Sequence, residues 1–170
     1  MAKHLQVINR NRYAVIPRSL IFLFDEENVL LIKGAASKTI WANMFNGLGG
    51  HIERGENVIQ SAKRELFEET GLLNQPLWIC GNILIDTDEE STGILLFILK
   101  GYYSGSELIS TEEGNLYWVN INELPIDNLV EDLRDLLPKV YAHKITDPIF
   151  SARYHYNDSN NLIISFQNEI

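Results

Sequence analysis

Cysteine is almost missing from this chain of 170 residues. Cys80 stands alone, which excludes an internal disulfide and a cysteine-rich zinc site and fits a reducing compartment. Basic residues are also scarce, with 14 Lys and Arg against 23 Asp and Glu and a formal charge of -9. A chain without a basic stripe is a poor binder of nucleic-acid polymers or anionic membrane surfaces. It can still hold a small anion if cations bridge the two. Long hydrophobic runs are lacking too: a stretch such as Gly93 to Leu99 is far too short to span a bilayer. The first residues show no basic start, long apolar core or small-residue cleavage site, so a cytoplasmic location is the expectation. Repeats, low-complexity tracts and proline-rich linkers are absent, and one domain covering residues 1–170 is the simplest organisation.

What is present reads as alternating elements. Ser19 to Phe24 and Val29 to Ile32 are apolar runs joined by the polar turn Asp25-Glu26-Glu27-Asn28, the pattern of a β-hairpin. A looser segment follows from Lys33 to Asn43. Asn46-Gly47-Leu48-Gly49-Gly50 is too glycine-rich for a regular element and brings backbone close to something. The period then turns helical: Ile59, Ala62 and Leu66 form an apolar stripe, Asn57 and Gln60 a capping box, and Gly71 a stop, predicting a helix over 58–70. Leu77 to Ile85, Ile94 to Tyr103 and Tyr117 to Asn120 are predicted strands, and Asn122 to Leu124 and Leu129 to Leu137 helical pieces around Pro125. The tail alternates at Ser151 to Tyr156 and Leu162 to Phe166 across Asn157-Asp158-Ser159-Asn160, predicting a closing hairpin at about 150–166. Strands before, between and after a few helices predict an α/β chain with a mixed sheet flanked by helices.

On the predicted helix Glu65, Glu68 and Glu69 share a face, three like charges that repel one another. A solvated surface explains such a triplet alone. Company changes the reading, because hard Mg2+ is held by a few carboxylates and shares its other positions with water and phosphates. Read from upstream, the segment is Gly50-x5-Glu56-x7-Arg64-Glu65-Leu66-x-Glu68-Glu69-x-Gly71-Leu72. It resembles the Nudix hydrolase signature at every specified position. At average residue usage, a random match at a given start is on the order of 10^-9.

The resemblance implies a Nudix fold, an α/β/α sandwich with a mixed β-sheet, and a nucleotide pyrophosphatase using Mg2+, with Mn2+ as a substitute. It implies a metal held by Glu65, Glu68 and Glu69 and by the backbone carbonyl of Gly50. It also implies a Glu56–Arg64 ion pair that ties the loop to the helix. One helix glutamate, Glu65 foremost, is a candidate proton acceptor. An extra carboxylate from a later loop is common in the family; spacing to Trp118 favours Glu113 by one subgroup and Glu112 by another.

Substrate choice must come from outside this box. Asn46-Gly47-Leu48-Gly49-Gly50-His51 looks like the entry of the human-type 8-oxo-purine nucleoside triphosphatases, which makes Asn46 the base-reading candidate, although Asn before Gly is also a routine turn residue. Leu124-Pro125-Ile126-Asp127-Asn128 resembles a MutT segment whose asparagine reads 8-oxoguanine, pointing to Asn128; counted against the human-type enzymes, the same region points to Asp132. MutT-type members carry an arginine just before an Ala-Ala pair; here Gly34 precedes Ala35-Ala36 and Lys33 stands one step earlier, which weakens that contact. Trp41, Phe45, Tyr117 and Trp118 are candidates to stack on a base. Phe150, Arg153, Tyr154 and Tyr156 are placed either to cover the pocket or to form a homodimer contact. The expected substrate is a nucleoside triphosphate, an oxidised purine such as 8-oxo-dGTP foremost, cleaved to monophosphate and pyrophosphate. A dinucleoside polyphosphate, nucleotide sugar or ADP-ribose stays open as substrate, as does a non-catalytic nucleotide-sensing role.

Overall fold

The computed structural model describes residues 11–36, 40–109, 111 and 114–167. Its strands are β1 (Ala14–Asp25), β2 (Asn28–Gly34), β3 (Phe45–Asn46), β4 (Leu77–Asp86), β5 (Thr92–Tyr102), β6 (Gly114–Asn120), β7 (Phe150–Tyr156) and β8 (Leu162–Phe166). Two helices, α1 (Val58–Thr70) and α2 (Leu133–Ala142), complete it. The strands form one mixed sheet in the order β3-β2-β1-β5-β4-β7-β8, with β6 on the remaining edge of β2. The β1–β5 and β4–β7 pairs are parallel and the other pairs antiparallel.

Alternation along the strands divides the core in two. Ile21 and Leu23 of β1, with Leu30 and Ile32 of β2, pack on Ala62 and Leu66 of α1. Their neighbours Leu20, Phe22, Phe24, Val29 and Leu31 face the other way, toward Leu133, Leu136, Leu137 and Val140 of α2. The sheet is thus sandwiched between the two helices. A register shift between Ile79 and Gly81 lets Cys80 and Ile83, of opposite parity, both join the α2 side.

The glycine-rich segment is built into the sheet rather than laid over it. β1 and β2 pair only at Leu23↔Leu30, Phe24↔Val29 and Asp25↔Asn28 and then separate. Phe45 and Asn46 pair with β2 on one side of the gap, and Leu48 bridges to Ile21 of β1 on the other. The segment is a wedge between two strands, reaching both layers.

Helix α1 matches its predicted limits because its ends are chemically marked. Asn57 Oδ1 accepts the Gln60 N–H at 3.0 Å, Gln60 Oε1 accepts the Asn57 N–H at 2.9 Å, and Gly71 closes the helix at φ 74°. The region after β6 differs from expectation. Asn122 to Leu124 is turn rather than helix, and a single 3-10 turn follows at Ile126–Asn128, beyond Pro125. The piece expected over 129–137 starts at Leu133 and runs through Pro138 to Ala142. Burial of Leu133, Leu136, Leu137 and Val140 on one stripe outweighs the hydrogen bond lost at the proline.

Beneath α2 lies a buried cation. Lys100 of β5, 1% exposed, donates from Nζ to the carbonyls of Tyr141 at 2.6 Å and His143 at 2.9 Å, satisfying the helix C-terminus. Phe24, Tyr102, Tyr141 and Trp78 surround the ammonium, with ring centroids 4.9 to 6.0 Å away. Burial pushes its pKa down.

Candidate active site

The acidic helix and the wedge meet at Gly49 and Gly50. The Gly49 N–H donates to Glu69 Oε2 at 2.7 Å, and Glu69 is 5% exposed although it is a carboxylate. Gly49 has φ +128°, and a Cβ there would lie 2.3 Å from the Ser19 carbonyl oxygen, so no side chain is tolerated. At Gly50 a Cβ would fall 2.6 Å from Glu65 Oε1. Glycine there lets backbone and carboxylate come together. The Gly50 carbonyl accepts the Ser19 N–H at 2.9 Å, which fixes its position against β1.

Arg64 is the organising cation. Its Nε and Nη2 grip Glu56 at 2.6 and 2.9 Å, and Nη2 also donates to the His51 carbonyl at 3.0 Å. This bidentate contact ties the loop before α1 to the helix. With the Glu53 N–H, it holds the Glu56 carboxyl down at a pKa of about 2. Nη1 donates to Glu65 at 2.9 Å and Glu68 at 3.1 Å, partly offsetting the repulsion along the helix. Among the described residues, no three carboxylate, imidazole or thiol side chains already converge as a metal cluster, because Arg64 lies between Glu65 and Glu68 and Glu69 turns to Gly49. The donor set nonetheless fits a hard divalent cation: it is all oxygen, and Gly50 leaves room for close approach to Glu65. Glu112 and Glu113 lie outside the described residues.

On the α2 side, the wedge opens into a cavity of about 280 Å³. Leu20, Ile85, Ile94, Leu96, Val130 and Leu162 make its apolar walls, with Trp41 at the edge. Polar groups come from Arg18, Ser19, Asn46, Glu131, Asp132, Tyr154 and Tyr156, and Gly49 and Gly50 close the end nearest α1. Asn46 and Asp132 therefore share one cavity, whereas Asn128 is exposed on its 3-10 turn and Lys33 lies over the Phe45 ring, neither of them on the cavity wall. Burial raises the Asp132 pKa to about 6, helped by Glu131 and Asp135. Phe45 packs edge-on against Tyr117, and Trp118 against Tyr103, so these three candidate stackers serve packing. Phe150 packs on Phe166 and His143, while Arg153 pairs with Asp86 at 2.5 Å.

Arg18, Ser19, Glu131 and the cavity's aliphatic walls were not singled out from the sequence. They come from segments distant in the chain, and each looks locally like an ordinary strand or turn residue.

Fold and site together define a hydrolase of the Nudix family: the family's domain model, described as NUDIX domain, matches residues 16–140, and the chain belongs to that family. Nudix hydrolases act on small nucleotide substrates and generally use a divalent metal. The chain is similar to the oxidized purine nucleoside triphosphate hydrolase of Danio rerio, 29% identical over 114 residues, covering 67% of this chain and 72% of that protein. It is also similar to the oxidized purine nucleoside triphosphate hydrolase of Mus musculus, 24% identical over 145 residues, covering 85% and 89%. Among solved structures, the MutT protein from Bacillus halodurans superimposes with a TM-score of 0.72 at 21% identity, covering 91% of this chain and 99% of that one, a likeness of fold. No described helix is long and apolar enough to cross a membrane.

Proposed function

We propose that this chain is a Mg2+-dependent pyrophosphohydrolase that cleaves an oxidised purine nucleoside triphosphate, 8-oxo-dGTP foremost, to the monophosphate and pyrophosphate. One observation carries the reading: a single five-residue wedge places Asn46 on the wall of a base-sized cavity and Gly49–Gly50 against the carboxylates of α1. A nucleotide with its base in the cavity would direct its phosphates along the wedge toward Glu65, Glu68 and Glu69. The two relatives named for oxidised purine nucleotides support the substrate class.

In this reading Glu65, Glu68, Glu69 and the Gly50 carbonyl hold the metal. A bound Mg2+ supplies neutralisation of phosphate charge and a more acidic attacking water, and Mn2+ suits the same oxygen donors. Arg64 and Glu56 position the helix relative to the loop, so that the carboxylates meet the phosphates in a fixed frame. Glu65, close to Gly50 and hydrogen-bonded to Arg64, is the candidate to take a proton from water. Asn46, whose Oδ1 already accepts the Gly47 N–H at 2.8 Å, offers its amide NH2 as a donor to a purine edge, and Asp132 offers a carboxyl whose pKa is raised to about 6. Residues 1–170 form one Nudix domain on this reading, and the lone buried Cys80 accords with a reducing, cytoplasmic setting. The test is a substrate panel of 8-oxo-dGTP, dGTP, ADP-ribose and diadenosine polyphosphates in Mg2+, with products identified. Pyrophosphate release fastest from 8-oxo-dGTP is expected. Preference for ADP-ribose or a dinucleoside polyphosphate would overturn the substrate, and binding without any hydrolysis in Mg2+ or Mn2+ would overturn the activity.

A further inference from the structure

Two buried hydroxyl groups on the cavity wall have no partner among the described residues. Tyr154 and Ser19, each 2% exposed, both line it, and neither Tyr154 Oη nor Ser19 Oγ makes a hydrogen bond to a described residue. A buried polar atom without a partner is costly, and proteins seldom keep one without a use. Tyr154 is also held rigidly. Its backbone lies in β7, in register with Ile85 of β4 on one side and Ile164 of β8 on the other, so the ring is carried by an interior strand rather than a loop.

We infer that Tyr154 is a specificity-determining residue whose hydroxyl donates a hydrogen bond to a carbonyl oxygen or ring nitrogen of a bound purine base. This rests on the proposed reading of the cavity as a base site. Among the charged groups lining the cavity, Glu131 and Asp132 outnumber Arg18, and Ile85, Leu96 and Leu162 offer apolar contact to a ring, which favours a base over a phosphate at this point. The phenol serves as donor, because desolvation and the nearby Asp132 and Asp135 raise its pKa and keep its proton in place. A donor at a fixed point in an apolar cavity rewards a base that presents an acceptor there and penalises one that does not.

The substitution Tyr154→Phe removes only the oxygen. Calorimetric titration of the whole chain with 8-oxo-dGMP and dGMP, beside thermal unfolding without ligand, tests the assignment. The expected result is that 8-oxo-dGMP binds roughly 3- to 10-fold more weakly to the variant, while the unfolding midpoint stays level or rises because no protein hydrogen bond is lost. Ser19→Ala serves as a second hydroxyl deletion on the same cavity and should likewise spare the midpoint. Unchanged affinity in Tyr154→Phe would overturn the assignment while leaving triphosphate hydrolysis, measured separately, standing. Weaker binding together with a markedly lower midpoint would make Tyr154 a structural residue and overturn it as well. If the wild type binds neither monophosphate, the base-site reading fails and this inference falls with it.

Discussion

Arg64 and Lys100, partly and fully buried on opposite faces of the sheet, are satisfied in different ways. Arg64, on the α1 side, is held chiefly by the ionisable Glu56, Glu65 and Glu68, with one further bond to the His51 carbonyl. Lys100, on the α2 side, is held by two backbone carbonyls and four aromatic rings, none of which carries charge at neutral pH. Charge paired with charge can be re-partitioned when a metal or phosphate arrives. A cation capped by peptide dipoles cannot, and it serves to fasten the end of α2 to the sheet. The α1 side thus carries charge that can change partners and the Lys100 contact fastens architecture, with the wedge of residues 46–50 joining the acidic helix to the cavity.

The largest separation between the two sides should come from Glu69→Gln. The amide still accepts the Gly49 N–H, so the fold should hold, while Mg2+-dependent turnover falls by about 100-fold or more. Steady-state kinetics with circular dichroism checks both halves, and full activity would remove Glu69 from the metal site. Lys100→Met is the converse. Losing the ammonium strands the Tyr141 and His143 carbonyls, and stability should drop by about 2–4 kcal/mol in denaturant titration while kcat stays near wild type.

Smaller effects follow from protons. The Glu56 carboxyl is lowered from 4.5 to about 2 in the folded chain, so its contribution is complete above pH 4.5 and disappears as pH falls toward 2. Unfolding midpoints of Glu56→Gln should therefore be lower than wild type at neutral pH and converge with it at about pH 2. Asp132 acts in the reverse sense. Its pKa is raised from 3.8 to about 6, so the folded chain binds the extra proton in between, and stability contributed at this position declines as pH rises through that window. Asp132→Asn, which mimics the protonated form, should flatten that decline in pH-dependent thermal melts.

How much of this was legible in the sequence depends on how local the signal is. Helix α1 and its acids could be read directly, because the Asn57–Gln60 box, the Ile59/Ala62/Leu66 stripe and Gly71 lie within one short segment. Helix α2 was misplaced because Pro138 reads as a terminator and no side chain caps its start. The two-residue strand β3 has no period to detect; only the glycines that follow it, Gly47, Gly49 and Gly50, hint at its role. The cavity was least legible. Arg18, Asn46, Glu131 and Tyr154 meet only because β1 pairs with β5, β5 with β4 and β4 with β7, and that order is set by long-range pairing. Between Asn128 and Asp132 the sequence could not choose; in the structure only Asp132 reaches the cavity.

On the proposed function, one cavity reads the base while the wedge delivers the phosphates to α1. The most direct measurement is the ratio of kcat/KM for 8-oxo-dGTP to that for dGTP in the wild type and in the Asn46→Ala, Asp132→Ala double variant. The expected result is a ratio that collapses toward one in the double variant while Mg2+-dependent pyrophosphate release from dGTP persists. An unchanged ratio in a folded, active double variant would contradict it.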